Sequence, residues 1–367
     1  MSLHDASPRA FKANARAALA DANLQHALRS SRGGFVQRRA QARAAFPEFD
    51  ALRDQARAIK DHTLAHLDRY LEAYEAQVTA AGGKVHWAET AEDARRILLG
   101  ICRQADARTV LKGKSMVSEE CGINDHLAAQ GITPVETDLG EYILQLRDEP
   151  PSHLIAPAVH VTVPEIEAIF RARHAHLPPE RDLTDLAALL REARGELRSR
   201  YFDAEIGLTG ANLLIAETGQ SVIVTNEGNG GRSQSLPRIH VVLASIEKIV
   251  PTLEDAATVL RLLGRSATGQ EMTVYTTFSR GPRRADDPDG PEEYHVILLD
   301  NGRSDMLGTE VQDMLRCIRC AACMNHCPVY QAVGGHAYAS VYPGPMGAVL
   351  TPALIGVEEG GELANAS

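Results

Sequence analysis

Four of the six cysteines fall within eleven residues, in the run Cys317-Ile-Arg-Cys320-Ala-Ala-Cys323-Met-Asn-His-Cys327-Pro328. This C-x2-C-x2-C-x3-C-P spacing is one that holds an iron–sulfur cluster. Three thiolates at three-residue steps along a tight turn can face one cubane and bond three different irons. The backbone N–H groups around them point at the sulfides and help to carry the negative charge. Ala321 and Ala322 leave room for the cluster, and Pro328 stops the ligand loop from continuing as helix. Structural zinc prefers two C-x2-C pairs separated by a longer loop, a layout this run lacks. The chemistry expected at Cys317, Cys320, Cys323 and Cys327 is therefore one-electron transfer through a [4Fe–4S] cluster.

In proteins with two such clusters the fourth cysteine of a run ligates the other cluster. A second cluster would need three more cysteines, and none follows Cys327. Either Cys327 closes a single local cluster, or the chain is shorter than the functional protein. The terminal stretch Glu358 to Ser367 reads as a helix and loop cut before a natural end, so a truncated C-terminus is the expectation. Cys102 and Cys121 read as ordinary buried thiols, since free cysteine packs as a small hydrophobe. His326 and His336 do not fit a Rieske-like spacing, and packing or hydrogen bonding to sulfur is expected of them.

The elements that must position this run can be read from composition and period. The 367 residues carry a formal net charge of −10, which argues against a nucleic-acid partner. Apolar runs such as Val241 to Ala244 are far too short to span a bilayer. The N-terminus has no apolar core of a secretory leader, so a cytoplasmic location is expected. Residues 1–83 read as a helical region. Leu52, Ala56, Ile59, Leu64, Leu67, Leu71, Tyr74 and Val78 form an amphipathic stripe on one helix or a pair, ended by Gly82-Gly83.

From residue 84 to 300, β-rich runs alternate with helical ones. Strands are expected at Lys84 to Ala88, Thr109 to Lys112, Thr133 to Thr137 and Leu154 to Ala156. Helices are expected at 91–104, 118–130, 139–147 and 163–173. This repeat predicts βαβ units and a parallel α/β sheet. Leu213 to Glu217 and Ser221 to Thr225 read as a hairpin, with further strands at 239–244, 272–276 and 295–299. Residues 301–367 form a third segment carrying the cysteines.

Ligands of parallel sheets bind at the C-terminal ends of strands. Lys112, Lys114 and Ser115 end one expected strand, beside Glu119 and Glu120. Glu136, Asp138 and Glu141 end the next, and His153 and His160 bracket another. The loop Asn226-Glu-Gly228-Asn-Gly-Gly-Arg232 follows a strand and could cradle an anion with its N–H groups. The plainer alternatives are an ordinary glycine-rich turn, surface charges, and Asp138 as a helix cap.

Several motifs then occur together in one order. The run CIRCAACMNHCPVY with GGHAYASVYPGPMGAVLTP, and the segments 113–120, 136–143, 151–160, 208–212 and 298–303, resemble the lactate utilization protein B family over about residues 50–367. The resemblance implies an α/β domain like the CoA-transferase and sugar-phosphate-isomerase fold, an N-terminal helical region and a ferredoxin-like α-helical iron–sulfur segment. It further implies a cytoplasmic complex with sister subunits that oxidises L-lactate to pyruvate, in which this chain carries electrons and is not a self-sufficient enzyme. Family members continue past the position of Ser367 with a second cysteine run, which this chain lacks. Two other readings remain open: an assembly module with a structural cluster, and a CoA-transferase-like enzyme acting on a small carboxylate.

Overall fold

The chain alternates between strands buried on both sides and amphipathic helices, and this alternation dictates a layered α/β arrangement. The computed structural model describes residues 7–31 and 33–366. Residues 1–6 and Ser367, on which the leader and chain-end readings partly rest, lie outside the described residues. The strands are β1 (Lys84–Ala88), β2 (Thr109–Lys112), β3 (Thr133–Glu136), β4 (Ile206–Thr209), β5 (Leu213–Ile215), β6 (Gln220–Thr225), β7 (Ile239–Ser245), β8 (Ile249–Val250), β9 (Tyr275–Ser279) and β10 (Glu293–Leu299). Six form a parallel sheet in the order β1-β10-β7-β4-β2-β3, and four a smaller sheet in the order β8-β5-β6-β9.

Side chains alternate across the larger sheet, as the two-residue period of a strand requires. Val241, Leu243, Ile297 and Leu299 pack on Leu98, Ile101 and Leu127 from the helices Ala91–Gln104 and Ile123–Ala129. Val242, Ala244, Val296 and Leu298 pack on Leu71, Tyr74 and Val78 from the helix Leu67–Ala80. Covering both faces makes β7 buried throughout, which is why it reads as a continuous apolar run. Beneath the small sheet, Leu213, Ile215, Val222 and Val250 meet the helices Phe49–Ala65 and Leu253–Ala267.

The chain divides into two compact units. Residues 38–137 and 201–320 make a sheet unit, which holds every strand above. Residues 1–37, 138–200 and 321–367 make a unit that is helical among its described residues. The parallel α/β architecture, the helical regions and the hairpin of β5 and β6 agree with expectation, the hairpin turning at Gly219 with φ +69°. Among the described residues no helix is long and apolar enough to cross a membrane.

Several elements differ from the sequence reading. No strand forms at Leu154 to Ala156. Pro150, Pro151 and Pro157 remove ladder donors there, and His153 Nδ1 accepts the N–H groups of Ile155 and Ala156, each at 3.0 Å, which turns the chain. The helix expected over 118–130 is two, Met116–Glu120 and Ile123–Ala129, parted at Gly122 with φ +59°. β9 starts at Tyr275, not Met272, because its register is set by β6, with Thr225 opposite Tyr275. β4 went unrecognised, yet it lies between β2 and β7. Its Gly207 disguises it: a Cβ there would fall 1.7 Å from the Ser233 carbonyl oxygen, so only glycine admits the helix backbone this close.

Candidate iron–sulfur site and the buried charges beside it

A 3-10 turn, Gln312–Arg316, delivers the chain to Cys317 in extended conformation. Arg316 anchors this turn through ion pairs to Asp61 and, at 2.6 Å, to Asp313. Beyond it the backbone bends through left-handed conformations at Arg319 and Ala321, both with φ +60°. The bend aims the Arg319 N–H at Cys317 Sγ, 3.5 Å away. Ile318 and Cys320 pack against the core beneath the small sheet. Cys317 and Cys320 are half-buried.

The boundary between the units falls after Cys320. In the helical unit Cys323 is exposed, on the short helix Ala322–His326, and Cys327 is buried. Cys327 caps the helix Pro328–Val333, its Sγ accepting the Tyr330 N–H at 3.5 Å. A backbone N–H thus points at a sulfur in each unit. Burial holds the Tyr338 hydroxyl well above its ordinary pKa, reinforced by neighbouring Cys327.

The strongest electrostatic feature of the sheet unit surrounds Glu247, just past β7. Its carboxylate pairs with Arg303 at 3.0 Å and with Arg319 at 3.1 Å. Lys60 donates to the Glu247 carbonyl oxygen and, at 3.4 Å, to that of Ile249. Lys248 is buried beside it. Arg303, with no exposed surface, also grips Glu120 through two bonds of 2.9 and 2.7 Å. Burial alone would raise the Glu247 pKa, but Arg303, Arg319 and Lys248 outweigh it and bring it to about 2.

Burial lowers Lys60 and Lys248 to about 8 each, and both feel the Cys317 thiolate as a stabilising charge. They stay largely protonated at neutral pH. Lys60, Lys248 and Arg303 are buried and Arg319 is largely so, and these cations gather around Glu120 and Glu247. Charge in a protein interior is costly unless paired. An anionic cluster held by thiolates at Cys317 and its neighbours would be favoured by this positive field, whereas a neutral site would not. The donor set and the field around it fit an iron–sulfur group.

The remaining sequence candidates are divided between the units. In the sheet unit, Lys112 is 1% exposed and lies between Glu119 and Glu136, 2.5 Å from the latter, which also accepts from Asn124 at 2.7 Å. Two carboxylates on one ammonium leave it little attraction for an anion. Ser115 caps the helix Met116–Glu120, and a Cβ on Gly210 would meet its Oγ at 2.9 Å. Lys114 adjoins it in sequence.

Gly228, with φ +71°, opens the helix Asn229–Ser235, on which Arg232 sits, and Asn226 bonds to Gln270 and to the Val274 N–H. A Cβ on Gly113 would lie 3.9 Å from Gly230, so the end of β2 and the glycine-rich loop are neighbours. Asp138 and His153 belong to the helical unit. Asp138 caps the helix Leu139–Arg147, its Oδ1 accepting from Gly140 and Glu141. His153 bonds to Asn325 at 2.8 Å.

Cys102 and Cys121 are buried thiols, each pushed up to about 12 by burial. His326 donates to the Ala322 carbonyl and His336 to that of Pro150, each at 2.8 Å. The sequence reading missed the Glu247 network. Lys60 was its visible signal, because it interrupts the apolar stripe four residues after Ala56.

The profile of the LUD domain matches residues 71–299, and that of the 4Fe-4S dicluster domain matches residues 313–363, which supports an iron–sulfur cofactor. Lactate utilization protein B of Shouchella clausii is 44% identical over 97% of this chain and 74% of its own length. An uncharacterized electron transport protein, YkgF, of Escherichia coli is 42% identical over 95% of this chain and 73% of its own. A crystal structure of a DUF162 family protein from Deinococcus radiodurans covers 64% of the chain at 15% identity and a TM-score of 0.32, a likeness too slight to argue from. With a LUD domain running into a four-cysteine iron–sulfur segment, the chain belongs to the lactate utilization protein B family.

Proposed function

We propose that the chain is the electron-transfer subunit of a cytoplasmic complex that oxidises L-lactate to pyruvate, with Cys317, Cys320, Cys323 and Cys327 as ligands of a [4Fe–4S] cluster. The observation that carries this reading is the positive charge gathered beside Cys317, where Lys60, Lys248 and Arg303 are buried and Arg303 and Arg319 pair with Glu247. Such a cluster accepts and gives up single electrons. Lactate oxidation releases two electrons and two protons, so the subunit would carry two electrons in succession from a sister subunit. The residues of the chain set how readily this happens. The Arg319 and Tyr330 N–H groups and the buried cations stabilise added negative charge at the sulfurs. Cys317 and Cys320 of the sheet unit are half-buried and Cys323 of the helical unit is exposed, so these sulfurs are not sealed from a partner.

Residues 1–83, 84–300 and 301–367 then divide the work, as a helical region, a LUD domain that docks sister subunits, and the electron-carrying segment. A small-carboxylate site at the strand ends is the weaker alternative, because Lys112 is already held by two carboxylates. The test is anaerobic reconstitution with the sister subunits, followed by EPR on freezing after addition of L-lactate. A reduced-cluster signal that depends on lactate, and that a Cys317→Ser variant lacks, is expected. A cluster that dithionite reduces but lactate never does would overturn the assignment to lactate oxidation.

A further inference from the structure

Away from the cysteines, the helical unit gathers Glu149, His160 and His336, and one potential ligand atom of each lies within 4.8 Å of the others. Glu149 follows the helix Leu139–Arg147, and its Oε1 accepts from Arg147 at 2.7 Å. Its Oε2 lies 3.1 Å from His160 Nε2. His336 Nε2 faces the Pro150 carbonyl oxygen at 2.8 Å. A carbonyl only accepts, so this nitrogen carries the proton and His336 Nδ1 keeps the lone pair. Between His160 Nε2 and Glu149 Oε2, 3.1 Å apart, a metal ion would take the place of a bridging proton.

The His160 side chain is only 8% exposed. An imidazole whose far N–H is held by a carboxylate or a backbone carbonyl is the usual support for a metal-binding histidine. His336 has that support from the Pro150 carbonyl. The His160 and His336 rings meet edge to face with centroids 4.5 Å apart.

The charge states suit a cation. Burial alone would raise the Glu149 pKa, but the bonds from His160 and Arg147 bring it to about 2. Burial and the neighbouring His160 push His336 down to about 4. At neutral pH the site offers a carboxylate and a neutral imidazole, the forms that bind metal. Arg147 is shared with Glu165 at 3.7 Å, so its charge is not borne by Glu149 alone.

We propose that Glu149, His160 and His336 form a second metal site, for a divalent ion of the zinc class, independent of the cysteines. Tetrahedral zinc with bonds of about 2.0–2.2 Å holds its donors roughly 3.4 Å apart. The three groups, within 4.8 Å of one another, would therefore close by up to about 1.4 Å through rotation of their side chains. The ligands are nitrogen and oxygen, so the site differs from the cysteine run in kind as well as place.

The test uses the full chain prepared anaerobically with its iron in place. The protein is equilibrated with zinc chloride and passed into metal-free buffer. Zinc and iron are counted per chain, and X-ray absorption at the zinc edge identifies the ligands. About one retained zinc with only nitrogen and oxygen neighbours is expected. His160→Gln and His336→Gln should each weaken zinc retention by about tenfold or more while iron content stays as in the wild type. Zinc bound through sulfur, no retained zinc, or the same retention in both variants would overturn the proposal. The wild-type absorption spectrum decides the matter even if a variant precipitates. Iron content and zinc content are read separately, so failure of this site is distinguishable from failure of the cluster.

Discussion

Replacing Arg303 by methionine removes a guanidinium that has no exposed surface and touches three acceptors at once. It makes two bonds to Glu120, of 2.9 and 2.7 Å, one to the Asp300 carbonyl at 2.9 Å, and an ion pair to Glu247 at 3.0 Å. Glu247 keeps Arg319 and remains ionised. Glu120 keeps the Asn301 amide at 2.7 Å but loses both guanidinium bonds, so most of the penalty falls there. Breaking a buried pair from one side costs about 3–5 kcal/mol. For a unit of about 220 residues each kcal/mol corresponds to roughly 2–4 °C, so a fall in Tm of roughly 6–20 °C is expected. Neutralising the stranded partner should help: Arg303→Met with Glu120→Gln should recover about 1–3 kcal/mol. Differential scanning calorimetry of the anaerobic protein measures both. A single variant melting within about 1 °C of the wild type, or a double variant no better than the single, would refute the reasoning, because additivity would mean the two side chains do not interact.

Gly207→Ala should destabilise the sheet unit by about 3 kcal/mol or more, since its Cβ would strike the Ser233 carbonyl backbone at 1.7 Å; denaturant titration would expose a tolerated alanine. His240 has a folded pKa lowered to about 3 by burial, below its unfolded value near 6.5. The unfolded state therefore binds the proton first, and stability falls as pH drops through that window, by up to about 1.4 kcal/mol per pH unit from this residue. His240→Asn should flatten the acid limb of a Tm–pH series, and an unchanged slope would contradict the assignment. Lys60→Met removes a buried positive charge beside the cysteine run, so the midpoint potential should fall by on the order of tens of mV. A rise, or no change in a potentiometric titration with iron content intact, would show that Lys60 does not act on the cluster.

The parts of the molecule legible in the sequence were those with a local cause. The cysteine run declared its chemistry by spacing, and β1, β2, β3 and β7 declared themselves by apolar content between turn residues. The Thr90 and Thr252 capping boxes are equally local signals, although the sequence reading did not draw on them and left the helix Leu253–Ala267 unrecognised. What escaped notice depended on distant partners. β4 is four residues long and contains a glycine, and only its place between β2 and β7 makes it a strand. The proline-rich stretch around Leu154 looked like a strand by apolar content, but the His153 side chain takes the N–H groups a ladder would need. The Glu247 network joins residues from 60 to 319, so no window of sequence contains it. Glu149, His160 and His336 are likewise assembled from positions far apart in sequence.

The account rests on an iron–sulfur centre at the four cysteines, and iron and acid-labile sulfide analysis with EPR of anaerobically prepared protein tests this most directly. Near-equal iron and sulfide, about four of each per cluster, and an EPR signal that appears on dithionite reduction and is lost in Cys320→Ala, are predicted. Protein that holds zinc or no metal at these sulfurs, and yet supports lactate-driven electron transfer, would contradict it.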